Sequence, residues 1–248
     1  MINELLNFFK EKKILILGFG IEGISSYNFL RNNFKDMKIF ISDKKTTLLE
    51  EYPYLIEDQN VEVSMGEEYL NGIENYDLIL KTPGISLKDI DISKFKEKIT
   101  SQLELFLEFM EVFSIGITGT KGKSTTSSLI YNVLKEQGKQ VFLLGNIGEP
   151  IFNRIEEITK ESIVVLELSS HSLEYVKKSP NIAILLNIYE EHLDYYKSIE
   201  KYIEAKFNIV KFQNEEDFFI YNYDNEIIRN YNFLFKENNY IISLKNRR

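Results

Sequence analysis

The sequence predicts an α/β protein built on parallel sheets, in two successive series. Three observations carry that prediction. Short apolar runs alternate with helical stretches from end to end. Two of those runs, opening at Lys13 and Val112, feed glycine-rich turns that start helices. The runs Ile163–Leu168 and Ile182–Ile188 are of the kind buried on both faces.

Each element follows from its own pattern. Lys13–Leu17 (KILIL) is a β-branched and leucine run that stops at Gly18, and a helical pattern follows from about Ile21 to Asn32. Lys38–Ser42 is the next strand, ending at Asp43; Val61–Ser64 and Asp77–Leu80 are two more. Thr82-Pro83-Gly84 then breaks the chain. Ser101–Met110 reads as a helix because Leu103, Phe106, Leu107 and Met110 recur at helical spacing. The second series opens with the strand Val112–Ile117, followed by a helix over Ser124–Gln137 closed by Gly138. Val141–Leu144 is a strand before the turn GNIGEP. Ile199–Val210 is helical, and Phe218–Tyr221 and Tyr240–Ser243 are late strands. One series gives way to the other near residues 108–113 without a Gly/Ser linker, so one domain is expected over 1–111 and a second over 112–248.

Composition narrows the functions available. The 248 residues are 44% hydrophobic and 27% charged, enough for a sizeable core. No cysteine is present, which excludes disulfides, thiolate zinc sites and cysteine nucleophiles. With two histidines, a metal site must rest mostly on oxygen ligands. The net charge of −8 argues against a general nucleic-acid coat. No apolar run is long enough to span a bilayer, and MINELLNFFKEKK lacks the features of a signal peptide. A cytoplasmic protein with no nucleic-acid or membrane partner is expected.

Three places carry chemistry. Gly18-Phe19-Gly20-Ile21-Glu22-Gly23 satisfies G-x-G-x-x-G between a strand and a helix, with Asp43 at the end of the next strand. Such glycines allow close backbone approach to phosphate at a helix N-terminus. Alone the motif suggests a nicotinamide or flavin dinucleotide; the competing reading is that the glycines only let helix and sheet pack closely. The second place is Gly116-Ile117-Thr118-Gly119-Thr120-Lys121-Gly122-Lys123-Ser124-Thr125. Its Gly-Lys-Ser end is that of a phosphate loop: amides cradle phosphate, the lysine meets the β/γ-phosphates and the serine reaches Mg²⁺. Isoleucine at 117 replaces the first glycine of the strict motif, so the loop is a variant. The third place is a set of polar residues after the later strands. Glu167, in ELSSH, stands where a phosphate-loop protein keeps the acid that holds Mg²⁺ or its water. His192 also follows a strand, Lys206 lies on the next helix, and His171 reads as a loop residue. Solvated surface roles compete with each of these readings.

Together these residues resemble a known family, the Mur ligases, ATP-dependent amide-bond-forming enzymes of peptidoglycan synthesis. The matching pieces are GITGTKGKST, GNIG, ELSS, NIYEEHLDYY and EAK, in family order. GFGIEGISS, KTPGIS and SQLELF are similar to the members that add D-glutamate, and the resemblance covers nearly all of the chain. It implies a Rossmann-like domain over 1–111 that binds a UDP-sugar, then a P-loop-type ATPase domain over 112–248 that is incomplete. In the first, Ile21, Glu22, Asp43, Lys44 and Thr82, Pro83 and Gly84 would contact UDP-N-acetylmuramoyl-L-alanine. In the second, Gly119, Thr120, Lys121, Gly122, Lys123, Ser124 and Thr125 would bind ATP. Asn146 would contact the reacting end of the sugar-peptide. Ser124 and Glu167 would hold one Mg²⁺, and Glu167, His192 and Lys206 a second, with Lys206 carbamylated. Lys123, Glu167, His192 and Lys206 would carry catalysis.

Three departures qualify the resemblance. ELSSHSL has His171 where D-glutamate-adding members carry phenylalanine, a form closer to the ligases that add a diamino acid or lysine. Glu22 and Lys44-Lys45 differ from some members' uridine-site residues. The family's third domain, which binds the amino acid, has no counterpart in the 248 residues, so little activity is expected of this chain alone, and a non-catalytic nucleotide-binding remnant is the alternative. Lys123→Ala is expected to abolish ADP formation; near-normal turnover by that variant would sink the ATP assignment.

Overall fold

The computed structural model describes residues 1–191, 193–196, 198–231 and 238–245. His192 lies outside the described residues. The chain divides into two compact units, Met1–Phe109 with Pro150–Glu156, and Met110–Glu149 with Glu157–Arg248.

The first unit runs α1 (Ile2–Phe9), β1 (Ile14–Leu17), α2 (Ile21–Asn33), β2 (Ile39–Asp43), β3 (Val61–Met65), β4 (Leu78–Lys81), β5 (Ile99–Thr100) and α3 (Gln102–Phe109). Its sheet has the order β3-β2-β1-β4-β5, with every pairing parallel. β1 is central and all four of its residues are buried, as an apolar strand between two helix layers must be. Because the strands are parallel, their carboxyl ends share one edge. The order reverses beside β1, and that reversal opens a crevice where the glycine turn sits.

The second unit holds β6 (Phe113–Thr118), α4 (Lys123–Glu136), β7 (Val141–Gly145), β8 (Ile163–Glu167), β9 (Ile182–Leu185), α6 (Ile199–Lys211), β10 (Phe218–Asn222) and β11 (Asn239–Ile242). The short helix between β7 and β8, α5 (Ile151–Arg154), belongs to the first unit. The second sheet is also parallel, in the order β11-β10-β9-β6-β8-β7. Ile115, Ile117, Val165 and Ile184 form a core beside α4. On α6, Tyr202, Ile203, Ala205, Phe207, Ile209 and Val210 are buried at helical spacing. Among the described residues, no helix is long and apolar enough to cross a membrane.

The α/β class with parallel sheets is the one the sequence predicts. Among the differences of detail, three bear on packing and on the site. α1 was not expected; it buries Leu5 and Phe9, one turn apart, and the Phe9 ring meets Phe29 at 6.2 Å. β9 stops at Leu185, short of the Ile188 expected, because the backbone after it leaves the sheet at Asn187 to hold the Gly119–Thr125 loop. Residues 150–156 pack in the first unit, where the Phe152 and Phe29 rings lie 4.6 Å apart.

Gln102 fastens that excursion. It is buried, donates from Nε2 to Glu22 O and to Ser26 Oγ at 2.9 Å each, and accepts from Phe152 N at 3.1 Å. One side chain thus joins α2, α3 and α5. Gln102→Ala leaves the buried Phe152 amide without its partner, while Ser26 Oγ still donates to Glu22 O, and is expected to destabilise the first unit by about 1–3 kcal/mol. Urea unfolding checks this, and a change within about 0.5 kcal/mol, the range of an ordinary surface substitution, would contradict it.

Candidate functional site

The second unit's site begins where β6 ends. Gly119 takes φ 157° and Gly122 φ 88°. A β-carbon at Gly119 would stand 3.0 Å from Leu186 Cβ and 3.3 Å from the backbone of Asn187, so glycine permits close approach there. Asn187 clamps the loop from three sides. Its backbone carbonyl accepts from Thr120 N at 2.9 Å, its Oδ1 accepts from Lys121 N at 2.8 Å, and its Nδ2 donates to Lys121 O at 2.9 Å. Thr120 Oγ1 accepts from Tyr189 N at 2.9 Å and lies 2.9 Å from the hydroxyl of fully buried Tyr202.

The loop ends at a helix start that no side chain caps. α4 has Gly122 as N-cap, no capping side chain and no acid in its first turn. Its first amides and the positive end of its dipole are therefore left for an anion. Ser124 and Thr125 are exposed at that end. Lys123 folds back, donating to Gly119 O at 3.0 Å and Thr120 O at 3.1 Å. Lys206, only 2% exposed, donates to the same Gly119 oxygen at 3.0 Å, and its ammonium lies 4.8 Å from the Tyr202 ring centroid. Burial, then repulsion from Lys123, pulls the Lys206 amine down to about 7.

Glu167 closes β8, and is 1% exposed. Its Oε1 accepts from Asn146 Nδ2 at 2.9 Å. Its Oε2 lies 3.4 Å from Ser127 Oγ, whose single proton has a shorter partner in Lys123 O at 2.7 Å. Among the described residues, no cation is bonded to this carboxylate. Nor do three or more His, Asp or Glu side chains gather there into a metal cluster. A buried carboxylate with acceptor capacity left over, which shares the Ser127 hydroxyl with the backbone oxygen of Ser124 at the start of α4, fits Mg²⁺. That ion uses one or two carboxylates and keeps several waters and phosphate oxygens.

The first unit's site is the glycine turn after β1. Gly18, at φ 92°, and Gly23 serve packing: a β-carbon on Gly18 would overlap Thr82 Oγ1, and one on Gly23 would overlap Gly18 O. Gly20 and Gly84 face open space. Thr82 N donates to Leu17 O at 2.9 Å, which holds the Thr82-Pro83-Gly84 turn beside the glycine turn. Ile21, 76% exposed, and Glu22 open α2, where burial pushes the Glu22 carboxyl up to about 7 against the pull of Lys81. Lys44 is exposed, but Asp43 turns inward, accepting from Phe19 N at 2.6 Å and Lys45 N at 2.8 Å.

Each unit therefore gathers its own predicted residues at a carboxyl edge: Ile21, Glu22, Asp43, Lys44 and Thr82–Gly84 in the first, and Gly119–Thr125, Asn146, Glu167 and Lys206 in the second. The sequence reading missed Asn187 and Tyr202. Tyr202 lies four residues before Lys206, one helical turn, which is the signal that could have found it. His171 is not a loop residue. It lies in the short helix Ser170–Leu173, 4.1 Å between ring centroids from Tyr195 and stacked at 5.5 Å on Tyr196.

Fold and loop define an α/β protein with a phosphate loop at the edge of a parallel sheet. Comparison with known proteins narrows this class. The profile of the Mur ligase middle domain matches residues 117–246, and that of the MurD-like N-terminal domain of Mur ligases matches residues 12–101. The chain belongs to the Mur ligase family. A UDP-N-acetylmuramoylalanine--D-glutamate ligase of Acetivibrio thermocellus is 38% identical over 236 residues, 93% of this chain and 50% of the relative. One of Clostridium kluyveri is 39% identical over 229 residues, 91% of this chain and 50% of the relative. The chain thus spans about half the length of the curated relatives it matches. Two solved structures share the fold. The UDP-N-acetylmuramate:L-alanyl-γ-D-glutamyl-meso-diaminopimelate ligase of Neisseria meningitidis has a TM-score of 0.55 at 16% identity, covering 94% of this chain and 77% of its own. The UDP-N-acetylmuramate-alanine ligase of Thermotoga maritima has a TM-score of 0.51 at 20% identity, covering 95% and 53%.

The Lys206 amine gives a pH prediction. Its folded value of about 7 lies below its ordinary 10.5, so between those limits the folded state binds fewer protons than the unfolded chain. Stability is expected to rise with pH across that window. Lys206→Met is expected to flatten the rise, read as denaturant midpoints in CO₂-free buffer from about pH 7 to 10. An unchanged slope would show that Lys206 is not the group responsible.

Proposed function

We propose that this chain is the nucleotide-binding portion of a ligase that joins D-glutamate to UDP-N-acetylmuramoyl-L-alanine at the expense of ATP. One observation carries the reading: Lys123, Lys206 and the uncapped start of α4 converge on the Gly119–Thr125 loop, with buried Glu167 at the end of the same unit's β8. The relatives' printed names supply the substrates.

In this reading the first unit takes the UDP-sugar. The open backbone at Gly20 and Gly84 leaves room for it, and the start of α2 supplies amides. The second unit takes ATP on the Gly119–Thr125 loop. The substrate carboxylate attacks the γ-phosphorus, the bond to the β,γ-bridging oxygen breaks, and ADP leaves with that electron pair. The D-glutamate amine then attacks the acyl phosphate carbon, loses a proton, and phosphate departs. Both partners in the first step are anions. Lys123, released from the loop carbonyls, and the α4 amides lower that repulsion and stabilise the transferring phosphoryl group. Ser124 and Glu167 would hold Mg²⁺, which screens phosphate charge when bound. His192 is proposed with Glu167 and Lys206 around a second Mg²⁺. Lys206, an amine near neutrality, suits carbamylation by CO₂, in which nitrogen adds to carbon and releases a proton. That change replaces the cation facing Lys123 with an oxygen donor.

The test is binding by the 248-residue chain. ADP with Mg²⁺ and UDP-N-acetylmuramoyl-L-alanine are each expected to bind. Lys123→Ala is expected to weaken ADP by at least about tenfold, the scale of one charged hydrogen bond, and to leave the UDP-sugar unchanged. Equal ADP affinity in the variant, or NADH binding in place of the UDP-sugar, would refute the assignment.

A further inference from the structure

We infer that Asn146 is a positioning residue whose side-chain amide fixes the Glu167 carboxylate for a divalent cation, an assignment that rests on the phosphate-loop reading of the second unit. The geometry comes from the GNIG turn after β7. Gly145 takes φ 102°, and a β-carbon there would meet the Glu167 carbonyl oxygen. Gly148 takes φ 78°, and a β-carbon there would overlap Leu143 O. Both glycines are needed to turn the chain this tightly. The turn folds back on β7, with Gly145 N donating to Glu149 O at 3.1 Å. It sets Asn146 against Glu167 twice: Asn146 N donates to Glu167 O at 2.9 Å, and Asn146 Nδ2 to Glu167 Oε1 at 2.9 Å.

This pairing uses Asn146 in a particular way. The backbone bond locks the two residues in register, and the amide then selects the Glu167 rotamer. Nδ2 satisfies Oε1 and leaves Oε2 under-satisfied, since the Ser127 proton has its shorter partner in Lys123 O. An amide donor does this without adding charge. A lysine or arginine at the same place would neutralise the carboxylate and compete with the metal. Partners that orient a ligating carboxylate in this way commonly change metal affinity by about 10–100-fold when removed.

The experiment titrates Mg²⁺ into the 248-residue chain with a fluorescent ADP, for the unaltered protein, Asn146→Ala and Asn146→Asp. Asn146→Ala removes the amide. Asn146→Asp keeps its size and an acceptor oxygen but loses the donor toward Glu167. Both variants are expected to raise the half-saturating Mg²⁺ concentration about tenfold while ADP affinity without Mg²⁺ stays unchanged. Each variant is melted beside the unaltered chain, so that any loss of fold is read separately from the loss of Mg²⁺ dependence. Unchanged Mg²⁺ dependence in both variants, or in Asn146→Asp alone, overturns the inference; the second result points to an oxygen acceptor toward the cation or its water. No Mg²⁺-dependent ADP binding by the unaltered chain overturns the phosphate-loop reading itself, and this inference with it.

Discussion

Two ammonium groups donate to one carbonyl oxygen. Lys123 and Lys206 both lie 3.0 Å from the oxygen of Gly119, one approaching from α4 and the other from α6. Like charges so placed repel, and Lys206 is almost wholly buried, which is why its amine is held near neutrality. The arrangement persists because the loop between them is over-determined. Asn187 clamps Thr120 and Lys121, Tyr202 meets Thr120, and Gly119 lets the backbone approach Leu186 and Asn187. A rigid loop loaded with positive charge and unsatisfied amides is preorganised for an anion, whose arrival relieves the repulsion. The parallel sheet makes this possible by bringing the ends of β6, β8 and β9 to one edge.

Much of this was legible in the sequence because glycine writes backbone conformation directly. The Gly119 and Gly122 positions, the GNIG turn and the G-x-G-x-x-G turn all carry left-handed or closely approached backbone, and each shows in the sequence as glycine beyond an apolar run. Within the last motif the meaning divides. The packing reading holds for Gly18 and Gly23, while Gly20 alone faces open space. A motif states that backbone must come close; it does not state to what.

What the sequence did not reveal lies in contacts between distant residues. Gln102 reaches α2 across 76 positions and α5 across 50, and no local pattern encodes it. Asn187 follows an apolar run that reads as continuing strand, yet the run serves two purposes, sheet to Leu185 and loop clamp after it. Residues 150–156 carry no sign of belonging to the first unit beyond Ile151, Phe152 and Ile155, which look like the core of any short helix. His171 is similar, since its aromatic partners Tyr195 and Tyr196 are more than twenty positions away.

The two units also show how one placement gives different chemistry. Asp43 and Glu167 each end a strand next to the strand that feeds a glycine turn. In sequence each ends an apolar run. Asp43 takes two backbone amides, one on each oxygen, so it braces its turn and its charge is answered by the fold itself. Glu167 takes one side-chain amide on one oxygen, and the other is left facing a hydroxyl whose proton is engaged elsewhere. A buried carboxylate left in that condition is unfavourable unless something positive joins it. At one strand end the fold thus completes the charge of Asp43, and at the other it leaves that of Glu167 open to a cation.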